Sequence, residues 1–276
     1  MELNWFEAIV YGLISGLSEF LPVSSRAHQA VLRHLFGGGN TNVLDLMIHI
    51  AIFAALILNC QKPIRIINRT NRILSTPRNQ RRREPNGQIT ALIRLLKTAC
   101  WPVVLAAFLF VITDRISTRF QFLAVCVAAN GIVLYISWHC RSANKDARFI
   151  NSLDSFLVGF ASALGIVPGI SRIGMGISML SMRGYDARHA ADWAVLISIP
   201  AVAALCVSDI ILIATGSAGT LSFLLMVKYV ISAAFACLGS FLGIRVLKIL
   251  TSHRAIGWTS YYCWGLAMFS FVLFML

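Results

Sequence analysis

The sequence predicts an all-α, polytopic integral membrane protein of six spanning helices plus two re-entrant helical hairpins arranged as an inverted repeat. Three observations lead there. The chain of 276 residues is 58% hydrophobic and only 13% charged, with mean hydropathy +0.75, far more apolar than an average soluble domain. Six apolar segments each approach the ~17 to 25 residues that cross a bilayer. A proline followed by serine and arginine occurs twice, as Pro22-Val23-Ser24-Ser25-Arg26 and Pro168-Gly169-Ile170-Ser171-Arg172, with Pro, Ser and Arg all offset by 146 positions.

Met1 to Asn4 lack the basic head and cleavage site of a signal peptide and are expected to stay in the mature chain. Trp5 to Phe36 is interrupted at Pro22 and carries Glu19, Arg26, His28 and Arg33, too many polar groups for a simple span. Helix breakers and polar groups at membrane depth are tolerated where the backbone lines a protein cavity, so the segment reads as a helix-loop-helix hairpin that enters and leaves on one side. Three spans follow, Leu44 to Cys60, Ala91 to Ile112 and Phe120 to Cys140. Ser155 to Met182, interrupted at Pro168-Gly169, is a second hairpin, and Ala191 to Ala214, Leu221 to Ile244 and Ile256 to Leu276 complete the set. Runs this long without period-two alternation exclude a membrane barrel. The chain is one membrane domain, 1–276, with a first repeat over 1–140 and a second over 151–276. Three crossings per repeat invert the second half, so the two Pro-x-x-Ser-Arg tips are expected to meet near the midplane, as in proteins built from inverted repeats around a central site.

The net charge of +13 does not point to nucleic acid, because of where it lies. Lys62, Arg65, Arg69, Arg72, Arg78, Arg81, Arg82 and Arg83 crowd residues 61–90 against one acid, Glu84. Such a cluster beside spans marks a cytoplasmic loop, first of all as a topology signal, with a contact for anionic membrane lipids as the second reading. Alternation then puts Arg141, Lys145 and Arg148 inside, with Arg183, Arg188, Arg245, Lys248 and Arg254. The linkers Thr113 to Arg119, with Arg115 and Arg119, and Thr215 to Thr220 fall outside. The seven cysteines form no CxxC pair and read as small buried hydrophobes.

An ionisable side chain at membrane depth costs at least ~2.5 to 3.5 kcal/mol and by default marks a functional site. Arginine beside serine hydroxyls and free backbone amides suits an anionic oxygen cluster, a phosphate or a diphosphate. Glu19, Ser25 and His28 add a carboxylate, a candidate nucleophile and a candidate base, Ser25 and His28 sharing a helix face. The histidine can take a proton from a serine or a water, while Glu19 can orient the imidazole or hold a divalent metal. Asp45 and His49, four apart, are expected to face the same way and to structure the hairpin, and Lys228 reads as a snorkelling anchor.

Glu19-Phe20-Leu21-Pro22-Val23-Ser24-Ser25 with His28, and Pro168-Gly169-Ile170-Ser171-Arg172, resemble the two signatures of the bacterial undecaprenyl-diphosphatase, or bacitracin-resistance, family. The resemblance spans most of the chain. It implies inverted repeats with two re-entrant hairpins, a multi-pass place in the bacterial inner membrane, and removal of one phosphate from undecaprenyl diphosphate at its outer face, which regenerates the lipid carrier for peptidoglycan. It implies Ser25 as nucleophile and His28 as its proton-transfer partner. It also implies Glu19 as ligand of a divalent cation, Mg2+ or Ca2+, and Ser24, Arg26, Ser171 and Arg172 as diphosphate-binding residues. The family usually has Glu or Gln where this chain has Ser15, Thr at Arg26, Gln at Ser162, Ser at Ile173 and Thr at Gly176. These departures make the pocket more cationic, favouring phosphate over metal. An alternative with the same fold is a carrier of polyprenyl phosphates with little hydrolysis, which would depend on Arg172 and tolerate loss of Ser25.

Overall fold

The computed structural model describes residues 4–37, 42–80, 85–113, 120–140, 145, 148, 150–215, 222–252 and 255–275. Among them the secondary structure is helical, and the six apolar segments are helices: α3 (Asn42–Asn59), α5 (Gly87–Thr113), α6 (Phe120–His139), α9 (Ala187–Thr215), α10 (Phe223–Ser252) and α11 (Trp258–Met275). The first five of these are long and apolar enough to cross a membrane, so the chain is a multi-pass membrane protein. Arg81 to Glu84, Arg115, Arg119, Arg141, Arg254 and the linker 216–221 lie outside the described residues.

Each hairpin is a pair of short helices broken at its proline. The first is α1 (Trp5–Phe20) and α2 (Ser25–Phe36), the second α7 (Ser152–Ala163) and α8 (Arg172–Met182). A capping box starts α1: Asn4 Oδ1 accepts from the Glu7 amide at 2.9 Å, and Glu7 Oε2 accepts from the Asn4 amide at 2.8 Å. The basic stretch after α3 differs from the loop expected of it, because its first half is a helix, α4 (Gln61–Ser75). Its apolar positions Ile64 and Ile67 lie three apart and pack on the core, while Lys62, Arg65, Arg69 and Arg72 stay exposed.

Helices pair across the two halves in a reciprocal way. α1 packs on α10 and α7 on α5, α3 packs on α10 and α9 on α5, and α3 meets α9 as α6 meets α11. Exchanging α1, α3, α5 and α6 for α7, α9, α10 and α11 leaves this set of pairs unchanged. Glycines bring the backbones of α1 and α10 into direct contact. A Cβ on Gly12 would stand 2.0 Å from the Ser232 carbonyl oxygen and one on Gly16 2.0 Å from that of Ala236. From the other side, a Cβ on Gly239 would stand 2.4 Å from the Leu13 carbonyl oxygen and one on Gly243 2.6 Å from that of Leu17. Two Gly-xxx-Gly pairs therefore face each other, the spacing that lets helix backbones touch in a bilayer.

Ion pairs fix the hairpin mouths. Arg33 of α2 reaches both oxygens of Asp45 on α3, at 2.5 and 2.6 Å, and donates from Nε to the Tyr11 hydroxyl at 2.8 Å. Asp45 thus structures the hairpin through Arg33, not through His49. Lys228 is buried with its ammonium 5.7 Å from the centre of the Trp5 ring. At the second hairpin, Asp154 is fully buried and accepts from Lys145 Nζ at 2.9 Å, Arg183 Nε at 2.6 Å and the Tyr185 hydroxyl at 2.7 Å. Burial alone would raise its pKa, but the hydrogen bonds from Lys145, Tyr185 and Arg183 outweigh it and hold the carboxyl below its ordinary value. A depressed carboxylate contributes stability above its unfolded pKa of ~3.9 and loses it as pH falls through the lower folded value. Asp154→Asn is expected to cost about 1–3 kcal/mol, read as a lower melting temperature in detergent at neutral pH, with the gap to wild type narrowing below about pH 4.

Candidate active site

Two helix breaks build the site. Pro22 biases Leu21 away from the helical region, and Leu21 leaves α1 with extended dihedrals, φ −91° and ψ 153°. Ser24 then turns the chain at φ 64°, a left-handed conformation uncommon for a residue with a Cβ, and α2 starts at Ser25. The second break runs through a 3₁₀ turn at Leu164–Ile166 to Pro168 and Gly169. Gly169 sits at φ 99°, and a Cβ there would stand 2.6 Å from Cys126 Cβ, so both the dihedral and the space demand glycine.

The tips are stitched together. Arg26 donates from Nη1 to the Ile166 carbonyl at 2.8 Å, and the Ser171 hydroxyl donates to the Leu21 carbonyl at 3.1 Å. Asn130 of α6 bridges both, giving Nδ2 to the Pro22 carbonyl at 3.1 Å and accepting the Ser171 amide on Oδ1 at 2.9 Å. Ser171 also caps α8, accepting from the Gly174 amide at 3.1 Å.

Between the tips, Glu19 joins the two halves. One carboxylate oxygen accepts from Arg172 Nη2, and the other accepts from the Ser25 hydroxyl at 2.5 Å. Glu19 is almost entirely enclosed, 7% exposed at the side chain. These groups line a cavity of about 50 Å³ together with Ser18, Ser24, Arg26, His49, Ser162 and Ser171, enough for a few water-sized groups, about one phosphate. Ser24 Oγ and Arg172 Nε are buried in this wall without a partner among the described residues. Buried donors of this kind carry a desolvation cost that an anion relieves.

Of the residues singled out from the sequence, Glu19, Ser24, Ser25, Arg26, Ser171 and Arg172 come together here. His28 does not. Its Nδ1 lies 2.8 Å from the Ser24 carbonyl, which makes that nitrogen the donor and leaves Nε2 to accept from the Tyr262 hydroxyl at 2.7 Å. The ring stacks on Tyr262 at a second, apolar cavity of about 380 Å³ lined by Leu17, Leu21, Trp258 and Ser18. Sequence reasoning missed Asn130, Asp209 and the place of His49. Asn130 reads as one amide in an apolar span, and Asp209 and His49 lie 160 positions apart, yet His49 Nδ1 sits 2.6 Å from Asp209 Oδ2.

The donor set does not suit a protein-held divalent cation. Among the described residues Glu19 is the one carboxylate lining the cavity, and both its oxygens are engaged by Arg172 and Ser25. No group of three His, Cys, Asp or Glu that would hold a metal occurs among the described residues.

Comparison with known proteins finds relatives along nearly the whole chain. The chain is 28% identical over 274 residues to an undecaprenyl-diphosphatase of Carboxydothermus hydrogenoformans, covering 98% of both chains. It is 28% identical over 273 residues to undecaprenyl-diphosphatase 3 of Bacillus cereus, 96% of both chains, and 32% identical over 204 residues to an undecaprenyl-diphosphatase of Nocardioides sp., 72% of both. The family model described as bacitracin resistance protein BacA matches residues 8–269, a range that takes in both helix breaks, and the chain belongs to that family.

Proposed function

We propose that this protein is a membrane phosphatase that hydrolyses undecaprenyl diphosphate to undecaprenyl phosphate and inorganic phosphate. In the cell this recycles the lipid carrier for cell-wall synthesis and confers bacitracin resistance. The observation that carries the reading is the Glu19 carboxylate bound at once to Ser25 and Arg172 in a phosphate-sized cavity. The substrate's identity comes from the names of the relatives.

The terminal phosphate enters the cavity, where the Arg172 guanidinium and Ser24 hydroxyl donate to its oxygens and Arg26 adds positive charge. Ser25 Oγ attacks phosphorus and its proton passes to Glu19, already in hydrogen-bond contact. The bridging P–O bond breaks, undecaprenyl phosphate leaves, and water then hydrolyses the phosphoserine. The apolar cavity beside Trp258 and Tyr262 shares Ser18 with the anion cavity, which suits the first isoprene units of the tail. A carrier of lipid phosphates needs the arginines but has no use for a serine hydrogen-bonded to a buried carboxylate, so hydrolysis is favoured.

Among the described residues both oxygens of Glu19 are engaged by Arg172 and Ser25, so the steps above use the chain's own side chains and not the expected Mg2+ or Ca2+. The reciprocal helix pairs support an inverted repeat, 1–140 and 151–276, with six spans and two re-entrant hairpins in a single domain. The exposed cations of α4 support a cytoplasmic place for residues 61–90 in the bacterial inner membrane. The test is phosphate release from undecaprenyl diphosphate by the purified protein in detergent, beside Glu19→Gln. Turnover is expected, reduced about 10²-fold or more in the variant. No release from folded protein that still binds the lipid would return the carrier reading.

A further inference from the structure

We propose that His49, held by Asp209, is a second proton-exchanging group of this site, lining the same cavity as the Ser25–Glu19 contact; the proposal rests on the phosphatase reading above. His49 stands in the middle of α3 and lines the same cavity as Glu19, Ser25 and Arg172. Its Nδ1 lies 2.6 Å from Asp209 Oδ2, and Asp209 is itself 1% exposed on α9. That contact fixes the ring by Nδ1 and leaves Nε2 as the nitrogen available to the cavity that His49 lines. Nε2 makes no hydrogen bond to any described residue. A carboxylate that holds one imidazole nitrogen while the other faces a reacting group is the arrangement that serves proton transfer, because it sets the tautomer and stabilises the imidazolium.

Once Glu19 has taken the Ser25 proton, a second group is needed if the departing bridging oxygen is to be protonated as its bond breaks. In the first step the Ser25 O–H bond breaks, the Oγ–P bond forms and the bridging P–O bond breaks, and Glu19 holds the serine proton. The bridging oxygen of the departing lipid phosphate takes its proton from His49 Nε2. In the second step water attacks the phosphoserine, its proton restores His49, and the proton on Glu19 returns to Ser25 Oγ as inorganic phosphate leaves. Both groups are reset and one water is consumed.

The carboxylates acting on the ring are Asp209 from α9, Glu19 from α1 and Asp45 from α3 itself, and the cations Arg26 of α2 and Arg172 of α8 line the same cavity. The cations of α10 are occupied or exposed elsewhere: Lys228 lies over Trp5, Lys248 faces Asp192 at 3.7 Å, and Arg245 is exposed. Lys62, Arg65, Arg69 and Arg72 of α4 are exposed. The test measures kcat and KM for phosphate release across pH 5 to 9 for wild type, His49→Gln and Asp209→Asn, with melting temperatures of each. His49→Gln is expected to lose about 10²-fold in kcat, with KM little changed and the alkaline fall in rate flattened. Asp209→Asn is expected to move that alkaline fall to lower pH, because loss of the carboxylate disfavours the imidazolium. A purely structural pair would lower the melting temperature and leave both profiles in place. Wild-type kcat and profile in His49→Gln overturn the proposal and leave the phosphatase reading standing. Should that variant fail to fold, an unmoved alkaline limb in Asp209→Asn overturns it equally. No turnover by the wild type overturns both.

Discussion

Ser25→Ala is expected to abolish phosphate release, by up to about 10⁶-fold, the size recorded when a serine nucleophile is removed from a hydrolase. Position 25 opens α2, where alanine is well tolerated, and the side chain is only partly enclosed, so the fold is expected to survive. Burial of Glu19 is untouched, and its contact with Arg172 remains. What disappears is the oxygen that forms the covalent bond. The check is a single-turnover assay with diphosphate labelled on the terminal phosphate. Wild type is expected to carry transient label on protein, and the variant none. If Ser25 only oriented a water, the variant would keep a measurable rate and wild type would never be labelled.

Arg172→Ala is expected to strike both activity and stability. It removes the guanidinium that faces the cavity, a loss of about 10² to 10³-fold for one transition-state donor. It also leaves the Glu19 carboxylate buried without its counter-ion, and breaking a buried pair from one side costs roughly 3–5 kcal/mol. The double variant Glu19→Gln with Arg172→Ala removes both charges, so its melting temperature in detergent is expected to rise above that of Arg172→Ala alone. Additive losses in the double variant would mean that the two side chains are not coupled. Arg172→Lys is expected to restore part of the stability and little of the rate, since an ammonium supplies charge without the planar fork.

The sequence carried the spans and hairpin breaks because each depends on near-neighbour chemistry: apolar runs long enough for a bilayer, and prolines that end a helix. Leu21 to Ser24 and Pro168 to Gly169 break where their prolines say. The helix in the basic stretch was legible too, in the spacing of Ile64 and Ile67, but charge density masked it. What stayed hidden are contacts whose partners lie far apart in the chain. Asp45 has a histidine one turn away, yet the stronger partner is Arg33, whose fork takes both its oxygens, and that leaves His49 for Asp209. Ser25 and His28 do lie three apart, but the imidazole reaches back to the Ser24 carbonyl and out to Tyr262, a residue from the last helix.

The glycines where α1 meets α10 bear on how a lipid is served. With Gly12 and Gly16 against carbonyls of α10, and Gly239 and Gly243 against carbonyls of α1, the two backbones interlock from both sides. Sliding one helix past the other would drive Cα atoms into carbonyl oxygens, and rocking them apart would expose the polar backbone that the contact covers. Glu19, one residue before the end of α1, is therefore anchored to the second half of the chain. Alternating access needs one half to swing about the other, whereas this joint makes the carboxylate a stationary point. On the phosphatase reading proposed above, the moving part of the cycle is then the long, pliable polyprenol rather than either half of the chain.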